Sequence, residues 1–289
     1  MNASHLLILG CGYVGEKLAK ACIAEGITVT GTTRSDMRAE ELRALGVDAV
    51  TVESAEQLAD GLFKQCDAIL DSIPLTRGED GMHASQLQWL PLITPKLSNL
   101  KWAGYLSTTG VYGDADGAWV DESWPCNPSS LRGSERLRAE RAWLGSGLPA
   151  EVFRIAGIYG PGRNIVSKLM AGGYKAVAWN PPHCSNRIHV DDIVEALIAA
   201  MNAPRKARIC NLSDDEPLPH ADYVTELAQL IGAPAPELLT PEEGEQQLSP
   251  MALEFFRDNK RVSNRLLHYE LLPKLRYPSF RDAFDGSHS

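Results

Sequence analysis

Apolar and polar positions along the chain follow two alternating periods. Leu6-Leu7-Ile8-Leu9 is a short unbroken apolar run, which predicts a buried strand. Directly after it, Val14, Leu18, Ala21 and Cys22 recur at helical spacing and form one apolar helix face. Glu25-Gly26 closes that helix, and Ile27 to Gly31, rich in β-branched residues, predicts a second strand. Val47 to Val52, Asp67 to Pro74 and Trp102 to Ser107 predict a third, a fourth and a fifth. Between the last two, Arg77 to Gly81 reads as a loop. Leu87, Leu90 and Ile93 then predict a helix kinked or interrupted at Pro91 and Pro95. Further on, Ile193, Leu197 and Met201 mark a helix with Asp191 as its N-cap. Arg208 to Leu212 is expected to return to the sheet, and a helix is expected around Tyr223 to Ile231. This alternation predicts an α/β fold built on a doubly wound parallel sheet.

The turn between the first strand and helix carries the first chemistry. Gly10-Cys11-Gly12-Tyr13-Val14-Gly15 is a Gly-x-Gly-x-x-Gly run in the strand-to-helix context that suits a dinucleotide pyrophosphate. Gly10 permits the tight turn, Gly12 lets the backbone approach the pyrophosphate, and Gly15 lets the helix pack closely on the strand. The phosphates would rest at the helix N-terminus, over the turn that Tyr13 and Val14 begin. After the second strand, where an acidic residue would bond the ribose 2′-hydroxyl of NAD, the chain has Thr32-Thr33-Arg34. A guanidinium beside hydroxyls suits a 2′-phosphate, so Thr33 and Arg34 lean the choice to NADP, with NAD the alternative. A solvated Arg34 with no such role is the plainer reading. Ser72 and Ile73 end the fourth strand and are placed to border the cofactor.

Composition narrows the class. The chain has 289 residues, 44% hydrophobic and 22% charged, typical of a soluble globular protein with a nucleotide-binding domain and a further lobe. A net charge of -9 argues against a nucleic-acid groove and against an acidic membrane surface. The six cysteines are scattered without metal-ligand spacing and read as reduced, mostly buried thiols of a cytoplasmic protein. No metal site is expected. The last residues, Gly286 to Ser289, are expected to fray.

Five motifs in register resemble the extended short-chain dehydrogenase/reductases, also called NAD-dependent epimerase/dehydratases. They are the glycine run, Ser107-Thr108-Thr109-Gly110-Val111-Tyr112-Gly113, Phe153-Arg154-Ile155-Ala156-Gly157-Ile158-Tyr159-Gly160-Pro161-Gly162, Arg187-Ile188-His189-Val190-Asp191-Asp192, and Asn211 to Pro217. The resemblance implies a Rossmann-type fold with a smaller C-terminal substrate lobe. Residues 1–162 would form the cofactor domain, with its sheet completed by about 186–214. Residues 163–185 and 215–289 would form the substrate side. It also places Ser107 beside the cofactor, Thr108 at a substrate hydrogen-bonding position, and Asn164 and Arg187 toward a substrate such as a nucleotide sugar. A homodimer through helices around residues 85–95 and 131–145 is common in the family.

The resemblance breaks at the acid/base pair. The family joins its Ser or Thr to a Tyr-x-x-x-Lys pair, and reading back from Leu137 and Glu140 the two positions hold Arg132 and Arg136. A guanidinium does not deprotonate in a protein, so Arg132 cannot serve as the base. It can polarise a carbonyl or clamp a carboxylate or phosphate. The plainer reading makes Arg132 and Arg136 surface residues paired with Glu135 and Glu140. Tyr112 and Tyr159 are candidates for a relocated acid/base, although tyrosines in such turns more often pack. His189 reads as structural, and Lys260-Arg261 as a solvated pair.

Two functions follow. One is an NADP-dependent oxidoreductase or epimerase acting on a nucleotide sugar or small carbonyl compound. The other is a catalytically silent dinucleotide-binding sensor or interaction protein.

Overall fold

The computed structural model describes residues 3–78, 81–249, 252–253 and 256–284. The expected fraying at Gly286 to Ser289 lies outside the described residues.

A seven-stranded sheet forms from β1 (His5–Leu9), β2 (Thr28–Thr33), β3 (Asp48–Thr51), β4 (Ala68–Asp71), β5 (Trp102–Thr108), β6 (Ala150–Ile155) and β7 (Ile209–Leu212). Its order is β3-β2-β1-β4-β5-β6-β7, and the pairs from β3 through β5 are parallel. This is a doubly wound sheet whose order reverses at β1. Leu6 to Leu9 are buried on both faces of β1, which explains the unbroken apolar run. In register, Leu9 stands beside Asp71, so the carboxyl ends of β1 and β4 meet next to the glycine turn.

The chain divides into two compact units. The first contains residues 1–108, 131–154 and 193–210. Its helices include α1 (Tyr13–Ala24), α2 (Asp36–Ala44), α3 (Asp60–Gln65), α4 (Gln86–Ile93) and α5 (Leu131–Gly145). One face of α1 buries Val14, Gly15, Leu18, Ala19 and Cys22. Pro91 sits inside α4 without ending it, and Pro95 falls in the 3-10 turn Thr94–Lys96 that follows. The expected loop at Arg77 to Gly81 belongs to an antiparallel hairpin, Thr76–Gly78 with Gly81–His83.

The second unit contains residues 109–130, 155–192 and 211–289. By this division 109–130 and 155–162, expected with the cofactor domain, fall in this unit. Its sheet elements are short pairs: Gly157–Tyr159 with Arg187–His189, Lys175–Val177 with Glu237–Leu239, and Cys184–Ser185 with Leu218–Pro219. A helix α6 (Val166–Met170) packs on a later one, α8 (His220–Leu230). Tyr159, Leu169, Tyr223, Val224, Leu227 and Phe280 belong to the core of this unit.

Helix α7 (Val190–Asn202) starts two residues earlier than an N-cap at Asp191 would place it. Asp191 is therefore inside the first turn and is not the N-cap. His189 takes over that work, since its Nδ1 accepts from the Asp191 N–H at 3.2 Å. Its ring packs edge-on to Tyr159 and lies 3.8 Å from the Tyr277 centroid, which makes it structural, as expected.

Candidate active site

The glycine turn is shaped by one left-handed residue and one close approach. Gly10 has φ +73°, and a Cβ there would stand 2.9 Å from the Ile73 Cα. Only glycine fits both demands. The turn is tied to β2, because the Gly10 N–H donates to Thr32 Oγ1 at 2.8 Å and the Cys11 N–H to the Thr32 carbonyl at 2.7 Å. At Gly15 a Cβ would press on Ile8 Cγ2 at 3.0 Å, so α1 lies directly on β1. Gly12 is different. A Cβ there would meet only the Gly10 carbonyl oxygen at 3.9 Å, which leaves open space in front of the exposed backbone.

No side chain caps α1. Its first-turn N–H groups, including those of Val14 and Gly15, have no carbonyl acceptor within the helix. Open room, a helix N-terminus and such N–H groups fit a pyrophosphate. Tyr13 opens the same turn, half-buried. Burial pushes the Cys11 thiol up to about 11, so this cysteine stays protonated.

At the end of β2, Thr33 is half-buried and its Oγ1 accepts from the Ser35 N–H, while Arg34 is exposed. A residue missed from the pattern lies close by. Arg38, in the first turn of α2, reaches Glu16 of α1 at 2.6 Å and Glu41 at 2.7 Å. Its spacing from Arg34 gave a signal, but its pairing with Glu16 required the fold.

The carboxyl ends of β4 and β5 carry a second group of contacts. Ser72 extends the β1 ladder through its N–H to the Leu9 carbonyl at 2.9 Å. Ile73 packs against Gly10, and its carbonyl accepts from Gln86 Nε2 at 2.9 Å and from Arg136 Nη1 at 3.2 Å. Arg136 Nη1 also donates to Tyr105 Oη at 3.1 Å and to the Leu106 carbonyl at 3.3 Å. Burial pushes the Asp71 carboxyl up to about 6, against hydrogen bonds from Ile73, Trp143 and Gln86 and the nearby Arg136 charge.

The expected surface pairing of the two arginines does not form. Glu140 is buried and binds Arg154 at 2.9 Å and Ser107 Oγ at 2.5 Å, while Glu135 takes the Ala84 N–H and Arg138. Arg132 is exposed on α5. The Ser107 hydroxyl is spent on Glu140 inside the protein. Thr108, half-buried, ends β5 one residue later.

The remaining candidates lie in the second unit. Tyr112 is fully buried and donates from its hydroxyl to Asn211 Oδ1 at 2.7 Å. Tyr159 is buried too, and its hydroxyl has no hydrogen-bond partner among the described residues. Burial drives that phenol well above its ordinary range, and Asp214 and Asp192 push the same way. Tyr159 packs in the core of this unit, and a phenol raised in this way holds its proton more firmly. Asn164 spends its side chain on the Gly160 carbonyl and the Val166 N–H. Arg187 is buried rather than open to a pocket, with its guanidinium 4.0 Å from the Tyr223 centroid and Nη2 on the Glu216 carbonyl. Lys260 also departs from expectation. It is buried, donates to the Gly113 carbonyl at 2.8 Å, and is lowered in pKa by that burial.

Among the described residues no cluster suits a metal ion, and no helix is long and apolar enough to cross a membrane. All six cysteines are free of disulfides and five are buried, as their scatter implied.

Comparison with known proteins agrees with this geometry. Residues 5–80, which hold the glycine turn and β1 to β4, match the family described as NADP oxidoreductase, coenzyme F420-dependent. Protein YeeZ of Escherichia coli strain K12 is 28% identical over 238 residues, 80% of this chain and 85% of YeeZ. The dTDP-glucose 4,6-dehydratase of Bacillus anthracis, solved with NAD, superposes with a TM-score of 0.79 at 16% identity, over 98% of this chain and 94% of that one. That likeness shows the fold. A functionally unknown conserved protein from Silicibacter pomeroyi superposes with a TM-score of 0.89 at 37% identity, over 98% of this chain and 97% of that one. The chain belongs to the family of that Silicibacter pomeroyi protein, and it shares a Rossmann-type α/β fold with the Bacillus anthracis enzyme.

Proposed function

We propose that the chain binds a nicotinamide dinucleotide, NADP in preference to NAD, and acts as an oxidoreductase or epimerase on a small carbonyl compound or nucleotide sugar. The observation that carries this is the turn at Gly10 to Gly15, with open room at Gly12 facing the start of α1. Bound there, the nicotinamide would supply or accept a hydride. The chain's own residues would do the rest. The first-turn N–H groups of α1 would hold the pyrophosphate, and Thr33 and Arg34 would meet the 2′-phosphate. Ser72 and Ile73 would border the cofactor, and Thr108 would donate to a substrate oxygen. On the substrate side, the second unit, in which Asn164 and Arg187 lie, would form the lobe that selects the substrate. A homodimer would use α4 and α5, and sedimentation of the purified protein would test it.

Calorimetric titration with NADPH and NADH, on the wild type and on Arg34→Ala, tests the central claim. The expected result is tighter binding of NADPH, with the preference lost in the variant. Failure to bind either cofactor at millimolar concentration overturns the reading.

A second reading is favoured by Arg132 and Arg136 at the two acid/base positions. It is a dinucleotide-binding sensor without turnover. It predicts NADPH binding together with no hydride exchange across a panel of carbonyls and sugars.

A further inference from the structure

Arg136 is anchored along one edge and open along the other. Its Nη1 lies 3.1–3.3 Å from three oxygens, Ile73 O, Tyr105 Oη and Leu106 O, and so spans the carboxyl ends of β4 and β5. Its Nε and Nη2 have no hydrogen-bond partner among the described residues. These two nitrogens form the edge of a guanidinium that grips a carboxylate or phosphate with two parallel bonds. The side chain is half-buried, so it is held in one pose yet reaches solvent. Arg132, one helical turn earlier on the same face of α5, adds a second charge with no partner among the described residues.

The strand order says what such a cation faces. The pyrophosphate belongs at the start of α1, beyond β1, and a 2′-phosphate belongs at the end of β2. Arg136 stands beyond β4 and β5, on the other side of β1 from β2. Neither phosphate group of the cofactor accounts for an oxyanion there, so the oxyanion belongs to the substrate.

The geometry points to a substrate class: a carbonyl compound carrying an oxyanion, carboxylate or phosphate ester, that Arg136 grips through Nε and Nη2 with Arg132 assisting. This inference rests on the cofactor reading above and narrows it, since it sets an acidic substrate ahead of a neutral sugar ring at this position. A lysine there would offer a mobile point charge, whereas the anchored arginine offers a fixed planar fork.

The test titrates the NADPH-loaded protein with oxalate, inorganic phosphate and the neutral oxamide, followed by nicotinamide fluorescence. Wild type is expected to bind at least one of the two anions about tenfold or more tighter than oxamide. Arg136→Met is expected to lose that binding about tenfold or more while keeping its NADPH affinity, and Arg136→Lys to fall between. Retained NADPH affinity shows that the variant is folded, and the comparison of oxalate with oxamide needs no variant at all. Oxalate ahead of phosphate identifies a carboxylate substrate, and the reverse a phosphate ester. NADPH bound, with oxamide equal to both anions or Arg136→Met unchanged, overturns this inference alone. No NADPH binding overturns the cofactor reading and this inference with it.

Discussion

Glu140 and Arg154 form a buried ion pair, with Arg154 Nη2 2.9 Å from Glu140 Oε2 and both side chains no more than 4% exposed. The Ser107 hydroxyl completes it by donating to Oε1. The pair joins α5 to β6 and, through Ser107, to the last turn of β5, directly before Thr108. Removing one partner leaves a charge without compensation in the interior, at about 3–5 kcal/mol. Chemical denaturation of Glu140→Gln is expected to show a loss of that order. The double variant Glu140→Gln with Arg154→Met is expected to lose less than the sum of the two single changes. Additive losses would mean that the two side chains do not act as a pair.

The three glycines of the turn separate folding from binding. Gly10→Ala forces a left-handed backbone and a clash with Ile73, at about 1–3 kcal/mol for the backbone alone. Gly12→Ala places its methyl in open space and is expected to leave the melting temperature unchanged. The same methyl obstructs the phosphates, so NADPH affinity is expected to drop about tenfold or more, equal to about 1.4 kcal/mol. Parallel melting and calorimetry on both variants check this. An unchanged NADPH affinity in Gly12→Ala would place the cofactor elsewhere.

Asp214 gives the second unit a pH dependence. Burial pushes its carboxyl up to about 8, with the Arg187 charge offsetting part of that rise, and its Oδ2 has no hydrogen-bond partner. The unfolded value is about 3.9. The folded state therefore holds a proton that the unfolded chain releases. The stability this confers is complete below the unfolded pKa and is lost as pH rises through the folded one, by about 1.4 kcal/mol per pH unit across the window. Asp214→Asn carries no such charge. Urea denaturation at pH 5, 7 and 9 is expected to show the variant gaining on wild type as pH rises to about 8, with the gap level above that. A constant gap would place the Asp214 pKa near its ordinary value.

Two tyrosines distinguish a bonded hydroxyl from an orphan. Tyr112→Phe deprives Asn211 Oδ1 of its donor in a buried setting, and a loss of about 1–3 kcal/mol is expected. Tyr159→Phe removes a hydroxyl that bonds nothing among the described residues, so its stability is expected to equal or exceed that of wild type. If turnover is found, Tyr159→Phe is expected to retain it, and a loss of turnover there with stability intact would restore Tyr159 as the proton carrier.

The first unit was legible because its signals are local. Leu6 to Leu9 is apolar since both faces of β1 are covered, and the glycines follow at fixed offsets. At Glu140 and Lys260 the misreading has one cause: contact between separate segments overrode local pattern. Glu140 looked like the i+4 partner of Arg136 but turns inward to Arg154 on β6. Lys260 looked solvated, yet the Gly113 carbonyl that buries it is 147 residues away in sequence. Asp191 had the right chemistry for an N-cap, but the His189 ring reached the N–H first. The open edge of Arg136 was equally hidden, because it depends on three oxygens, one from the segment just after β4 and two from β5.

The division into two units, each assembled from three separate stretches, governs how this protein can be inherited and taken apart. The chain changes unit five times, after residues 108, 130, 154, 192 and 210. No single truncation yields either unit whole, and no single crossover between genes exchanges one for another. A lineage that acquired a new substrate by this route would have to do so through point changes and loop insertions within one continuous reading frame. The two units are bound to a shared ancestry.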